Sequence, residues 1–193
     1  YKRDAQGNIQ LNADGQVMQM ELPTPKRVGS VLPKAQVGLN NRLSWRGLEL
    51  GLLVTARLGG VCVSQTQAFM DSYGVSRKTA RLRDAGGVNV GGRLVPVEKY
   101  YTVVGGETPI WDEYIYKATN ARVKELYLSY TTDRLLRGAK VTLGVTARNL
   151  WMLYCKAPFD PESTPSTDIY YQGFDYFMQP SQRSLGFYVN VKL

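Results

Sequence analysis

The stretch Ser184-Leu185-Gly186-Phe187-Tyr188-Val189-Asn190-Val191-Lys192-Leu193 decides the fold. Side chains on a β-strand alternate between its two faces. Leu185, Phe187, Val189, Val191 and Leu193 therefore share one face, and Ser184, Gly186, Tyr188, Asn190 and Lys192 share the other. The alternation has no break. A strand wholly apolar on one side and polar with a charge on the other suits two solvents, lipid outside and a water-filled lumen inside, as in a transmembrane β-barrel. An edge strand of a soluble sandwich reads the same way, so this strand alone leaves both open.

Four more segments repeat the pattern. Gln36–Trp45 alternates through Val37, Leu39, Asn41, Leu43 and Trp45, with Asn41 as its flaw. Leu48–Leu58 alternates through Leu48, Leu50, Leu52, Val54, Ala56 and Leu58, opposite Glu49, Gly51, Thr55 and Arg57, with Leu53 as the exception. Lys124–Tyr130 sets Leu126, Leu128 and Tyr130 against Glu125, Tyr127 and Ser129. Lys140–Arg148 sets Val141, Leu143, Val145 and Ala147 against Lys140, Thr142, Gly144, Thr146 and Arg148. Trp45, Tyr130 and Trp151 fall at strand ends, where an interfacial aromatic girdle would lie.

The links between these segments alternate short and long. Arg46-Gly47 and Thr131–Ala139 are short, whereas the stretches from Gly59 to Arg122 and from Asn149 to Arg183 are long. Soluble domains rarely hold structureless loops beyond about 15 residues. Outer-membrane barrels alternate short periplasmic turns with long extracellular loops. The predicted fold class is therefore all-β, the antiparallel C-terminal strands of a transmembrane barrel. Residues 1–33, 59–121 and 149–183 read as extracellular loops, 34–58 and 122–148 as barrel strand pairs, and 184–193 as the last strand. Five strands are too few to close a barrel, so the sequence reads as a C-terminal piece of a longer protein. The first residue, Tyr1, with no initiator Met or signal segment before it, fits that expectation.

Composition narrows the function classes. The longest apolar run, Leu50 to Ala56, ends at Arg57, far short of the ~18 residues of a spanning helix. A mean hydropathy of −0.27 is compatible with a barrel, whose strands give every second residue to the lumen. The net charge of +8 could suggest nucleic acid, but the Lys and Arg residues are dispersed along the chain, so no nucleic acid partner is expected. Cys62 and Cys155 allow one disulfide but match no metal or redox spacing, and small buried free thiols are the favoured reading. With no His, the commonest general base and metal ligand are missing. No catalysis, metal or cofactor is expected. Asp160-Pro161 reads as the start of a turn that anchors its loop. Ser64 is a candidate cap for one short helix over Ser64–Tyr73.

An ordered set of motifs carries a resemblance. Arg57-Leu58-Gly59-Gly60 is followed by Ser64-Gln65-Thr66-Gln67-Ala68-Phe69-Met70 and Arg83-Asp84-Ala85-Gly86-Gly87. Then come Arg122 to Tyr130, Thr146-Ala147-Arg148-Asn149-Leu150-Trp151, Phe159-Asp160-Pro161-Glu162 and Gln179-Pro180-Ser181-Gln182-Arg183. In this order they resemble the C-terminal third to quarter of a SusC/RagA-type TonB-dependent outer-membrane transporter. The resemblance implies a 22-stranded barrel, of which these strands would be the last five. It also implies a plug and remaining barrel from the N-terminal part of the same protein, a SusD-like lipoprotein over the mouth, and TonB engaging a segment outside this chain. The expected setting is the outer membrane of a Gram-negative, Bacteroidetes-like bacterium, with its lipid as a partner. The expected cargo is an oligosaccharide or a peptide. Leu193 departs from the aromatic residue on which such barrels usually end.

On that template Glu49, Arg57, Arg148, Tyr188, Asn190 and Lys192 face the lumen or plug. Trp111, Tyr100, Tyr101, Tyr170, Tyr171, Phe174 and Tyr176 are candidates for contact with cargo or lid, because flat amphipathic rings bind sugars and peptides at low entropic cost. Packing of the loops against one another competes with that role, and Trp111 and the Tyr170-Tyr171 pair are the ones expected to be exposed. The alternative function is a soluble, secreted β-sandwich that binds carbohydrate through its Tyr-rich loops. A glycan-cleaving enzyme would need two facing carboxylates about 5–10 Å apart, and no strand offers an inward pair.

Overall fold

A computed structural model describes residues 1–163, 165–166 and 168–193; Thr164 and Thr167, inside the predicted 149–183 loop, lie outside the described residues. In chain order the first elements are β1 (Ala35–Trp45), β2 (Leu48–Leu58), β3 (Val61–Ser64), α1 (Gln65–Ser72) and α2 (Arg77–Asp84). They are followed by β4 (Val88–Val90), β5 (Arg93–Val95), α3 (Val97–Val104) and β6 (Ile115–Lys117). The last are β7 (Asn120–Leu136), β8 (Ala139–Cys155), β9 (Phe174–Asp175) and β10 (Ser184–Lys192). The chain divides into two compact units. A sheet unit comprises Ser30–Val61, Lys117–Ser163 and Gln179–Leu193, and a mixed unit comprises Tyr1–Gly29, Cys62–Tyr116 and Thr164–Met178.

The sheet unit holds a five-stranded antiparallel sheet in the order β1-β2-β7-β8-β10. Register carries the alternation across every strand. Leu43, Leu50, Leu128, Val145 and Phe187 form one apolar row, and Trp45, Leu48, Tyr130, Leu143 and Val189 form the next. On the other face, Ser44, Glu49, Ser129, Gly144 and Tyr188 make one polar row, and Arg42, Gly51, Tyr127, Thr146 and Gly186 another. The apolar face is open: Phe187 is 83% and Leu185 80% exposed. A sandwich would bury those side chains under a second sheet.

The turn between β1 and β2 is Arg46-Gly47, both with positive φ (46° and 85°), the two-residue geometry whose twist matches paired strands. β7 and β8 run beyond the alternating cores read from sequence. Their turn is Arg137-Gly138 rather than the whole Thr131–Ala139 stretch, and β8 continues past Arg148 to Cys155. Asp133 and Arg134 hid the β7 extension, because charged residues on both faces erase a period-two signal.

Two glycines in the polar face seat tyrosine rings. A Cβ built on Gly144 would fall inside the Tyr188 ring, and one on Gly51 inside the Tyr127 ring. Covering a strand glycine with a cross-strand aromatic pins register. Gly144→Val should eject the Tyr188 ring and cost about 1–3 kcal/mol, as overpacking does. Thermal unfolding of the intact protein checks this, and Gly138→Ala, at a turn with nothing within 4 Å of its would-be Cβ, gauges the cost of positive φ alone (88°).

The mixed unit folds the long 59–121 stretch. Its core gathers Val17, Ala68, Val90, Val95, Val97, Tyr100, Tyr101, Val104, Ile110 and Tyr114. Ser64 caps α1 by accepting from the Gln67 N–H at 3.0 Å, as its position before the helix predicts. Ser76 caps α2 in the same way through Thr79 at 3.1 Å. α3 places Val97, Tyr100, Tyr101 and Val104 on one buried stripe. β3 lies between β6 and β9 in a small sheet, and β9 pairs with it in parallel through Val63↔Phe174 and Ser64↔Asp175. Neither Cys62 nor Cys155 is in a disulfide.

Candidate functional site

The polar face of the sheet unit carries the residues predicted to face a lumen. Glu49 accepts from Arg42 Nη2 at 2.6 Å, and Arg148 Nε lies 3.3 Å from Glu125 Oε1 across the β7–β8 pair. Thr131 and Thr142 share a hydroxyl bond at 2.9 Å. Tyr188 covers Gly144, Asn190 lies opposite Thr142, and Lys192 lies opposite Lys140. Arg57 donates from Nη2 to the Val31 carbonyl at 2.6 Å. All six predicted residues therefore share this one face of the sheet.

Where β7 begins, the face ends in a buried ion cluster. Arg122, 4% exposed, donates from Nη2 to Asp160 Oδ1 at 2.6 Å and from Nη1 to Oδ2 at 3.3 Å. The backbone N–H groups of Glu162 and Ser181 also donate to the Asp160 carboxylate, at 3.1 and 3.2 Å. Burial alone would raise the Asp160 pKa; the bonds from Arg122, Ser181 and Glu162 outweigh it and hold the group at about 2. Asp160-Pro161 thus anchors its loop, as the turn signal suggested. Its partner Arg122, far away in sequence, was not legible.

A second feature missed in the sequence is a bulge. The β2–β7 register shifts between Leu53 and Val54, leaving Lys124 as the extra residue between Val123 and Glu125. A bulge re-aims the side chains beside it. Its signal was present: apolar residues sit at odd positions through Val123 and at even positions from Leu126 onward.

The aromatic candidates of the mixed unit separate into two groups. Tyr100 and Tyr101 are core residues, Tyr101 being only 2% exposed, so they are not surface contacts. Burial on the inner stripe of α3 is the reason, and it raises both phenol pKa values. Tyr100 additionally shares a 2.6 Å hydroxyl bond with Tyr1, which donates to Glu113 at 3.0 Å. Tyr170, 81% exposed, together with Tyr171, Tyr176 and Trp111, stays on the surface. Trp111 tilts against the partly buried Phe174, with ring centroids 6.1 Å apart.

The fold is shared with part of a peptide importer. Structures of the RagAB peptide importer in its closed-closed and open-open states match this chain with TM-scores of 0.63 and 0.65. Sequence identity is 18% and 17%, and the matches cover 95% and 96% of this chain. This chain spans 20% of the length of those chains. No family model matches the sequence, and no curated protein matches it.

Proposed function

We propose that this chain is the C-terminal wall segment of a SusC/RagA-type, TonB-dependent outer-membrane importer of peptides or oligosaccharides. The observation that carries the reading is the sheet with an exposed apolar face and a polar face, whose rows run from β1 to β10 across five strands and keep their sides past the bulge at Lys124. Exposed Trp45 and Tyr130 at one end of the apolar face, and exposed Trp151 toward the other, support it as the two rims of a lipid-facing band. The importer fold it shares agrees with a role in transport rather than catalysis. In this role β1, β2, β7, β8 and β10 cross the membrane and the Arg122–Asp160 cluster braces an extracellular loop. The stretches 1–33, 59–121 and 149–183 are extracellular loops, a SusD-like lipoprotein covers the mouth, and TonB acts through the N-terminal part of the whole protein.

Spin labels placed singly at positions 185 to 191 of the complete protein in lipid test this. Collision with oxygen should be high at 185, 187, 189 and 191, and collision with a water-soluble nickel chelate should be high at 186, 188 and 190. The same ranking at odd and even positions would remove the membrane reading. Mass spectrometry of the native particle should find a surface lipoprotein beside it.

A further inference from the structure

We propose that a pocket over Gly38 on the polar face binds a carboxylate of a peptide cargo; this rests on the importer reading above. The pocket has a volume of about 400 Å³ and is lined by Gln36, Gly38, Thr55, Arg57, Lys124 and Glu162. Gly38 makes the space. A Cβ built there meets nothing within 4 Å, so any larger residue would enter the pocket. Register sets Gly38 beside Thr55, and Thr55 beside Arg122.

The lining has cationic charge, and among the described residues two of its buried donors have no partner. Arg57 uses one nitrogen on Val31, while its Nε is buried with no acceptor. Thr55 Oγ1 is likewise buried with no partner. Among the described residues neither Arg57 nor Lys124 forms an ion pair. Lys124 lines the pocket because it is the extra residue of the bulge; unbroken alternation would have set it on the apolar face with Leu126 and Leu128. Glu162 is the one acidic lining residue, and Arg122 Nε lies 3.7 Å from it.

An anion is therefore the fitting ligand. A guanidinium, an ammonium and a hydroxyl together match the two oxygens of a carboxylate. Glu162 penalises a doubly charged phosphate more than a singly charged carboxylate.

The test uses the complete transporter purified with its partner lipoprotein, and two amidated tetrapeptides, Ala-Glu-Glu-Ala and Ala-Gln-Gln-Ala, each with an uncharged fluorophore. The acidic peptide should bind about ten-fold more tightly than the neutral one, the scale of one hydrogen bond to a charged group. Lys124→Gln and Gly38→Leu, one removing charge and the other filling space, should each bring the two affinities to within about two-fold of each other. Equal binding of the two peptides by the unmodified protein overturns the site and leaves peptide import standing. Binding of neither peptide removes peptide import itself, and the site with it. If the variants lower the thermal stability of the peptide-free protein yet keep the preference, the carboxylate in the pocket belongs to the protein's own chain, and the cargo site is overturned.

Discussion

Val145→Arg should cost roughly 2–4 kcal/mol and sharply lower the amount of protein assembled in the outer membrane, whereas Thr146→Arg should be tolerated. The two positions are adjacent on β8 but occupy opposite faces. Val145 lies in the middle apolar row between Leu128 and Phe187, and Thr146 lies between Tyr127 and Gly186 on the polar face. On the proposed membrane reading, an arginine at the first must remove charge from water at mid-depth, while one at the second extends into the hydrated side. Heat-modifiable migration of the folded protein on gels of outer-membrane fractions measures both. Equal tolerance would mean that the apolar face meets no lipid, and the sandwich alternative would regain its standing.

Arg122→Met should loosen the Asp160 loop by about 3–5 kcal/mol, because it strands a buried carboxylate. Both side chains of the pair are largely buried, at 4% and 7% exposure, so screening by water does little to soften the loss. Hydrogen exchange over residues 156–163 of the complete protein would read it as faster exchange in the variant. The effect has a defined pH dependence. Asp160 titrates at about 2 in the folded protein, below the ~3.9 of an unperturbed aspartate. Its lowered pKa contributes stability in full above about pH 4, and that contribution fades as pH falls toward 2. The gap between Arg122→Met and the unmodified protein should therefore narrow over that window. A gap that does not change with pH would mean the pair acts by packing alone.

The contrast between the two units explains what the sequence made legible. In the sheet unit one face is apolar and the other polar, so β10 appears as plain alternation, β1 and β2 as alternation with single flaws at Asn41 and Leu53, and the middle rows of β7 and β8 as alternation too. The Arg122–Asp160 bond and the Lys124 pocket depend on residues brought together from different strands and loops, which no local pattern encodes. The mixed unit was harder. Val97-Glu98-Lys99-Tyr100-Tyr101-Thr102-Val103-Val104 is rich in residues that favour strands, yet it forms α3. A helical stripe at 97, 100, 101 and 104 was there to be counted, and counting it would have moved Tyr100 and Tyr101 from the contact candidates to the core. α2 had no such signal. Arg77–Asp84 has one buried residue, Thr79, and is set by its Ser76 cap and by Arg81 and Arg83 in its last turn.

The interleaved order of the two units bears on how the chain is completed. Neither unit is a contiguous length of sequence: β3 waits for β9, and β8 waits for β10. Hairpins β1–β2 and β7–β8 can close on local contacts as soon as they emerge, but their union and the parallel β3–β9 pair require segments that are distant in sequence. A chain cut before Phe174 would lose β9 and with it the 2.5 Å bond from Ser64 Oγ to Asp175, leaving the α1 cap without its acceptor. The final 20 residues thus complete both units, and a ribosome or translocation machine that releases the chain early delivers each of them unfinished.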